Sequence, residues 1–130
     1  MTRTVVDGMN VIGARPDGWW RDRDRAARRL LRRLQRAATR TDDVLTLVLD
    51  GRPAPGLAEG NQGGVDLRYA RRSGRDAADD RIVELVTAET DPAGLRVVTS
   101  DRDLAERVLT LGATTGGAGT FLRRLDRLGV

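Results

Sequence analysis

Val44-Leu45-Thr46-Leu47-Val48-Leu49, closed by Asp50-Gly51, is a near-continuous apolar run. A strand with one wet face alternates apolar and polar residues. An unbroken run of this kind belongs to a strand covered on both faces, as in a parallel sheet between two layers of helices. The flanking segments agree. Residues 22–38 carry Ala26, Ala27, Leu30, Leu31, Leu34 and Ala38 as one apolar stripe at helical spacing. Residues 4–6 read as a short strand running into Asp7-Gly8, and Val65-Asp66-Leu67-Arg68-Tyr69 alternates like a strand nearer the sheet edge. The Gly- and Pro-rich stretch from Arg52 to Gly64 reads as a mobile loop. A helix over 75–89, a turn at 91–94, a strand at 95–99 and a helix at 102–111 follow. A short strand at 113–115 and a last helix from Thr120 to Leu128 complete an alternation that predicts an α/β fold with a central parallel sheet.

At 130 residues the chain, 1–130, reads as a single domain with room for a buried core. It contains no cysteine, no histidine and no lysine; all 23 basic residues are arginine. Disulfides, Cys/His zinc sites, thiol nucleophiles and a histidine base are excluded. So is a phosphate-binding loop of the Walker type, which needs its lysine. Carboxylates, hydroxyls, amides and arginines remain, and with that inventory hydrolysis is most readily done by a metal held on oxygen ligands. The net charge of +4 points to a polyanionic partner, nucleic acid first. A compositional bias toward arginine explains the missing lysine by itself, but not the surplus of positive charge. No apolar stretch reaches membrane-spanning length and no signal peptide is read at the start, so a cytoplasmic location is the default expectation.

Three groups of acids stand where apolar runs end or a helix begins: Asp7, then Asp76, Asp79 and Asp80, then Asp101 and Asp103. Ligands of open α/β sheets bind at the carboxyl ends of the strands. Acids converging there repel one another unless a cation lies between them, which points to a divalent-metal site. Each group also has an ordinary explanation. Asp7-Gly8 suits a turn with Asn10 capping it. Ser73-x-x-Asp76 and Ser100-x-x-Asp103 match capping boxes, and Arg75 or Arg81 would serve as surface ion-pair partners of the middle acids. Asp50 reads as a turn residue on the periphery. No single acid is diagnostic; their conjunction at strand ends carries the argument.

Arg25, Arg28, Arg29, Arg32, Arg33 and Arg36 lie opposite the leucine stripe of the first long helix, with Arg71, Arg72 and Arg75 beside the middle acids. Together they suggest a phosphate track, against the plainer reading of a solvated helix face. Trp19 and Trp20 would either stack on unpaired bases or pack against a helix end. Gly116-Gly117-Ala118-Gly119-Thr120 lacks a dinucleotide fingerprint and reads as a turn.

Val5-Val6-Asp7-Gly8-Met9-Asn10-Val11-Ile12, Asp76-Ala77-Ala78-Asp79-Asp80-Arg81-Ile82 and Val98-Thr99-Ser100-Asp101-Arg102-Asp103-Leu104 resemble, in order and spacing, the three motifs of NYN-domain proteins. These belong to the PIN-like nuclease superfamily, and the resemblance is to its YacP-like branch. It implies a three-layer PIN-like (Rossmannoid) fold and a Mg²⁺- or Mn²⁺-dependent endoribonuclease. It also implies Asp7 and Asp101 as core ligands, Asp79 and Asp76 from the middle helix, Asp103 bound directly or through water, and Asn10 in support. Arg28, Arg29, Arg32, Arg33, Arg71, Arg72 and Arg75 are the expected nucleic-acid contacts. Single-stranded RNA is the expected partner, with the ribosome a further candidate. The alternative is a weak or inactive RNA- or ribosome-binding module of the same fold.

Overall fold

The computed structural model describes residues 2–71, 74 and 76–130. In chain order these form β1 (Arg3–Asp7), α1 (Gly8–Gly13), α2 (Arg23–Arg40), β2 (Val44–Leu49), β3 (Gly60–Gln62), β4 (Val65–Tyr69) and α3 (Ala77–Thr87). There follow β5 (Leu95–Val98), α4 (Arg102–Thr110), β6 (Thr114–Gly116) and α5 (Ala118–Leu128). The strands make one sheet in the order β3-β4-β2-β1-β5-β6, parallel throughout except for β3 against β4.

Side chains of the inner strands divide between two helical layers with the period of two that a strand imposes. Val6, Leu45, Leu47 and Leu49 pack with Leu30, Leu31 and Leu34 of α2, Val11 of α1 and Phe121, Leu122 and Leu125 of α5. Val5, Val48 and Val97 pack on the other side with Ile82 and Val86 of α3 and Leu104 and Val108 of α4. This is why the apolar run at 44–49 has no polar alternation: both of its faces are core. The expected stripe of α2 is the one buried, with Ala26 and Ala38 at its half-buried margins.

The chain first winds from β1 through α1 and α2 to β2, then returns through α3 to β5 on the opposite side of β1. The order of winding therefore reverses between β1 and β5. Their carboxyl ends, Asp7 and Val98, flank the switch point where open α/β sheets take ligands.

Several local expectations are corrected. Residues 60–62 are not loop but an antiparallel edge strand turned back onto β4 at Gly63-Gly64, so β4 lies one strand in from the edge. Both glycines have positive φ (59° and 95°), which a tight reversal requires. Asp7-Gly8 is not an isolated turn but the entry to α1, a helix of six residues too short to show periodicity. Gly8 is required there by proximity rather than by φ. A Cβ at this position would lie 2.7 Å from both Leu49 Cδ2 and the Val48 carbonyl oxygen. The middle helix starts at Ala77, two residues later than expected, with Asp76 as its N-cap.

Gly8→Ala should therefore cost roughly 1–3 kcal/mol of stability through overpacking against β2. Urea unfolding measures this, and an unchanged midpoint would contradict the close approach described.

Candidate metal centre at the ends of β1 and β5

Asp7 is the last residue of β1 and shares its face with Val5, the α3/α4 side of the sheet. Only 5% of its surface is exposed. Thr99, equally buried beyond β5, donates its hydroxyl proton to Asp7 Oδ2 at 2.8 Å. The same hydroxyl oxygen accepts the Asp101 backbone N–H at 3.1 Å. A chain of donors thus runs from the Asp101 amide through Thr99 to the Asp7 carboxylate. Thr99 has only one proton to give, and it goes to Asp7.

Asn10 joins the same two strand ends from the other direction. Its Oδ1 accepts the Ser100 backbone N–H at 2.8 Å, tying α1 to the β5–α4 junction. Asp101 is the N-cap of α4, accepting the Leu104 N–H at 3.1 Å. The expected capping box from Ser100 is absent. Ser100 instead accepts the Ala118 N–H at 2.9 Å through Oγ, which seats the start of α5. The glycine-rich stretch at 116–120 is thereby the end of β6 and the beginning of α5, as a structural turn would be.

The electrostatics identify which acids feel one another's charge. Burial pushes the Asp7 carboxyl up, the Thr99 hydrogen bond opposes this, and the nearby Asp101 and, more weakly, Asp50 charges raise it further. Asp79, half-buried in the first turn of α3, is pushed up to about 6 by burial and then by the charges of Asp7, Asp101 and Asp76. Among the described residues, Arg107 of α4 opposes this rise. Asp7, Asp79 and Asp101 therefore come from three separate parts of the chain into one electrostatic neighbourhood, with Asp76 at its border.

Asp76 is exposed and is the one non-glycine residue with positive φ (63°) among the described residues. Aspartate tolerates that left-handed conformation better than most side chains. Its expected partner in a capping box, Ser73, lies outside the described residues. Asp80 points elsewhere and is bonded by Arg107 at 3.3 Å. Asp103 is exposed in the first turn of α4, where a negative charge complements the helix dipole. No group of three or more acidic side chains among the described residues is drawn together tightly enough to cage a metal unaided. The oxygen-only donors fit a hard cation held by one or two carboxylates and otherwise by water.

Arg81 does not pair with the middle acids as expected. It is buried at 5% exposure, 3.4 Å from Glu84 and 3.9 Å from Glu59, and its Nε has no partner among the described residues. Glu59 also accepts the Tyr69 N–H at 2.9 Å, and Arg71 binds Glu84 at 2.7 Å. This network staples the end of β4 to α3 and so holds Asp79 against β1.

Of the expected phosphate contacts, Arg71 is thus engaged by Glu84, and Arg72 and Arg75 lie outside the described residues. Arg28 bonds Asp24 and the Pro55 carbonyl. Arg33 bonds Asp126 at 2.8 Å and the Val130 carbonyl at 2.9 Å. Arg29 and Arg32 are exposed and unpaired among the described residues. Sequence reasoning named Thr99, like Ser100, as a group that would orient a water; it missed the bond from Thr99 to Asp7 and the role of Arg107. The alternation of β5 was the available signal for Thr99, since it sets Val97 and Thr99 on one face.

A doubly wound sheet with a buried acid at its switch point is the architecture of a Rossmann-like, PIN-type domain. A family model for the YacP-like NYN domain matches residues 4–129, and the chain belongs to that family of nuclease-type domains with RNA-related function. Crystal structures of Rae1 (YacP) from Bacillus subtilis, wild type and a point variant, superpose with a TM-score of 0.78 at 23% identity. The superpositions cover 99% of this chain and 76–77% of Rae1. No curated protein matches.

In metal-free protein Asp79 keeps its proton to about pH 6 when folded but loses it near 3.8 when unfolded. The folded state binds more protons in that window, so the stability this group contributes falls as pH rises through it and stays lost above. Asp79→Asn should therefore gain about 1 kcal/mol over wild type at pH 7.5 in EDTA, after allowing for solvent screening, and nothing at pH 3.5. Urea midpoints at the two pH values check this; an equal gain at both would reject it.

Proposed function

We propose that this chain is a metal-dependent endoribonuclease, acting on single-stranded RNA in the cytoplasm as one domain over residues 1–130. The observation that carries the reading is the burial of Asp7 beside Asp79 and Asp101 at the β1/β5 switch point, with two of the three carboxyls raised by burial and mutual repulsion. Such an arrangement destabilises the empty fold and is relieved by a divalent cation, Mg²⁺ or Mn²⁺. Asp7 and Asp101 would hold it directly, with Asp79 and Asp76 from the α3 side; Asp103, on the first turn of α4, would act through water. Asn10 would brace the two strand ends.

A bound divalent cation supplies an acidified water and charge to offset that growing on the scissile phosphate. The chain's own residues do the rest. Thr99 keeps Asp7 in one rotamer, so one ligand is placed before any ion arrives. Arg107 neutralises Asp80 at the rim, which limits the negative potential an incoming phosphate must cross. With no histidine in the chain, a carboxylate would be the side chain able to take a proton from water, unless a second metal-bound hydroxide did so. The ribosome is a further partner consistent with the basic surface.

Purified protein with Mn²⁺ should cut a mixed-sequence single-stranded RNA, and both EDTA and Asp101→Asn should reduce the rate at least about a hundredfold. RNA that is bound but never cut, or cutting that survives Asp101→Asn, would instead favour a binding module with no turnover at these acids.

Thr99→Val is the finer test of the site. It leaves Asp7 Oδ2 without its donor and should lower cleavage more than RNA binding, which parallel rate and anisotropy measurements separate. Equal loss in both would mean that Thr99 supports only the fold.

A further inference from the structure

The face of the molecule away from the acids carries a groove of about 950 Å³ between α1, α2, α5 and the segment leading into α2. Its lining includes seven arginines against three aspartates, and none of the candidate metal-site acids is among its residues. Two of those aspartates are already committed. Asp126 is clamped by Arg15 at 2.6 Å and Arg33 at 2.8 Å, which holds its carboxyl down at about 2. Asp22 caps α2 by accepting the Arg25 N–H at 3.0 Å. Arg25, Arg29, Arg32 and Arg36 by contrast have no side-chain partner among the described residues. At i, i+4, i+7 and i+11 they form one stripe about 16 Å long on α2.

The floor between these cations is apolar, with Val11, Ile12, Leu30 and Leu122. Trp19 stands at one end, and Trp20, 53% exposed, meets it edge to face at 6.0 Å. Cations along a rim, an apolar floor and an accessible aromatic ring suit a flexible polyanion that also has flat apolar groups. A duplex presents its phosphates outside and keeps its bases stacked within, so it would use the rim and leave the floor bare.

We infer that this groove is a second binding surface for single-stranded RNA, on the opposite layer of the sheet from the metal centre. The inference rests on the proposed nuclease reading only for the identity of the polyanion as RNA. Arg25, Arg29, Arg32 and Arg36 take phosphates, and Trp20 stacks on a base. Segments of one strand engage the two layers around the end of β1, so the groove retains RNA whose scissile bond lies elsewhere. Arg28 and Arg33, committed to the fold, contribute little.

The test is fluorescence anisotropy of a labelled 12-nucleotide single-stranded RNA in EDTA, beside Mn²⁺-dependent cleavage by the wild type. Arg29→Gln with Arg32→Gln should melt like wild type, bind roughly ten-fold more weakly and lower the salt slope of binding by about 1.4. Trp20→Ala should weaken binding without changing that slope. Arg123→Gln with Arg127→Gln, an equal charge loss on α5 outside the groove, should change neither.

Unchanged binding by the first pair, or an equal effect from the α5 pair, overturns the groove even if wild-type cleavage is robust. Duplex RNA binding as tightly, or polyglutamate or anionic vesicles competing as well as RNA, overturns the single-strand assignment. Groove-dependent binding without any metal-dependent cleavage supports this inference while removing the nuclease reading.

Discussion

A carboxylate buried at the end of a central strand, with two others in its field, is the constraint around which this molecule is arranged. Asp7 could be solvated cheaply on a loop. It lies instead at the end of β1 beneath α3 and α4, where burial and neighbouring charge both oppose its ionisation. The Thr99 hydroxyl offsets part of this, and the Asp101 amide in turn holds Thr99. The three-residue span from Thr99 to Asp101 thus serves two ends at once. It bonds one buried acid and presents a second as the cap of α4. Natural folds retain such costs at functional sites, and here the unfavourable part coincides with the topological switch point.

The two helical layers divide the chemistry by sign. On the α3/α4 side, acids gather, and Arg107 opposes the rise of Asp79 among the described residues. On the α1/α2/α5 side, the arginines of α2 stand with few counterions. The period of two along β1 enforces this division. Val6 faces α2 while Val5 and Asp7 face α3, so the first acid cannot belong to the arginine layer without flipping the whole strand. Under the proposed reading a polyanion would be drawn toward one layer and cut at the other, and the sheet lies between the two sets of charges.

Most of the architecture was legible because its elements carry strong periodicity: the run at 44–49, the stripe of α2, and the strands ending in Asp7 and Thr99. The three acid groups could be located as strand-end or helix-start features for the same reason. What escaped was short or long-range. The helix at Gly8–Gly13 has fewer than two turns, and Gly8 is demanded by Leu49 and Val48, forty residues on. The strand at Gly60–Gln62 has no apolar residue and exists only because β4 offers it an edge. Local capping rules assigned Ser100 to α4, yet α5 claims it across the fold. Sequence spacing likewise could not tell Asp79, which feels the Asp7 charge, from Asp80, one residue later and bonded by Arg107.

That last distinction depends on how firmly α3 is held. A rotation of one residue about its axis would exchange Asp79 for Asp80 at the centre. Ile82 and Val86 set the rotation on the core side. Arg81 sets it on the other, buried between Glu84 of its own helix and Glu59 of the segment before β3. A buried guanidinium is a costly way to fix an angle, since its desolvation is only partly repaid by two loose carboxylate contacts. An apolar residue of similar size would pack at least as well, but could not draw Glu59, Tyr69 and Arg71 into one network with α3. The ionic staple therefore makes sense as registration: it ties the helix that carries Asp79 to the strand edge.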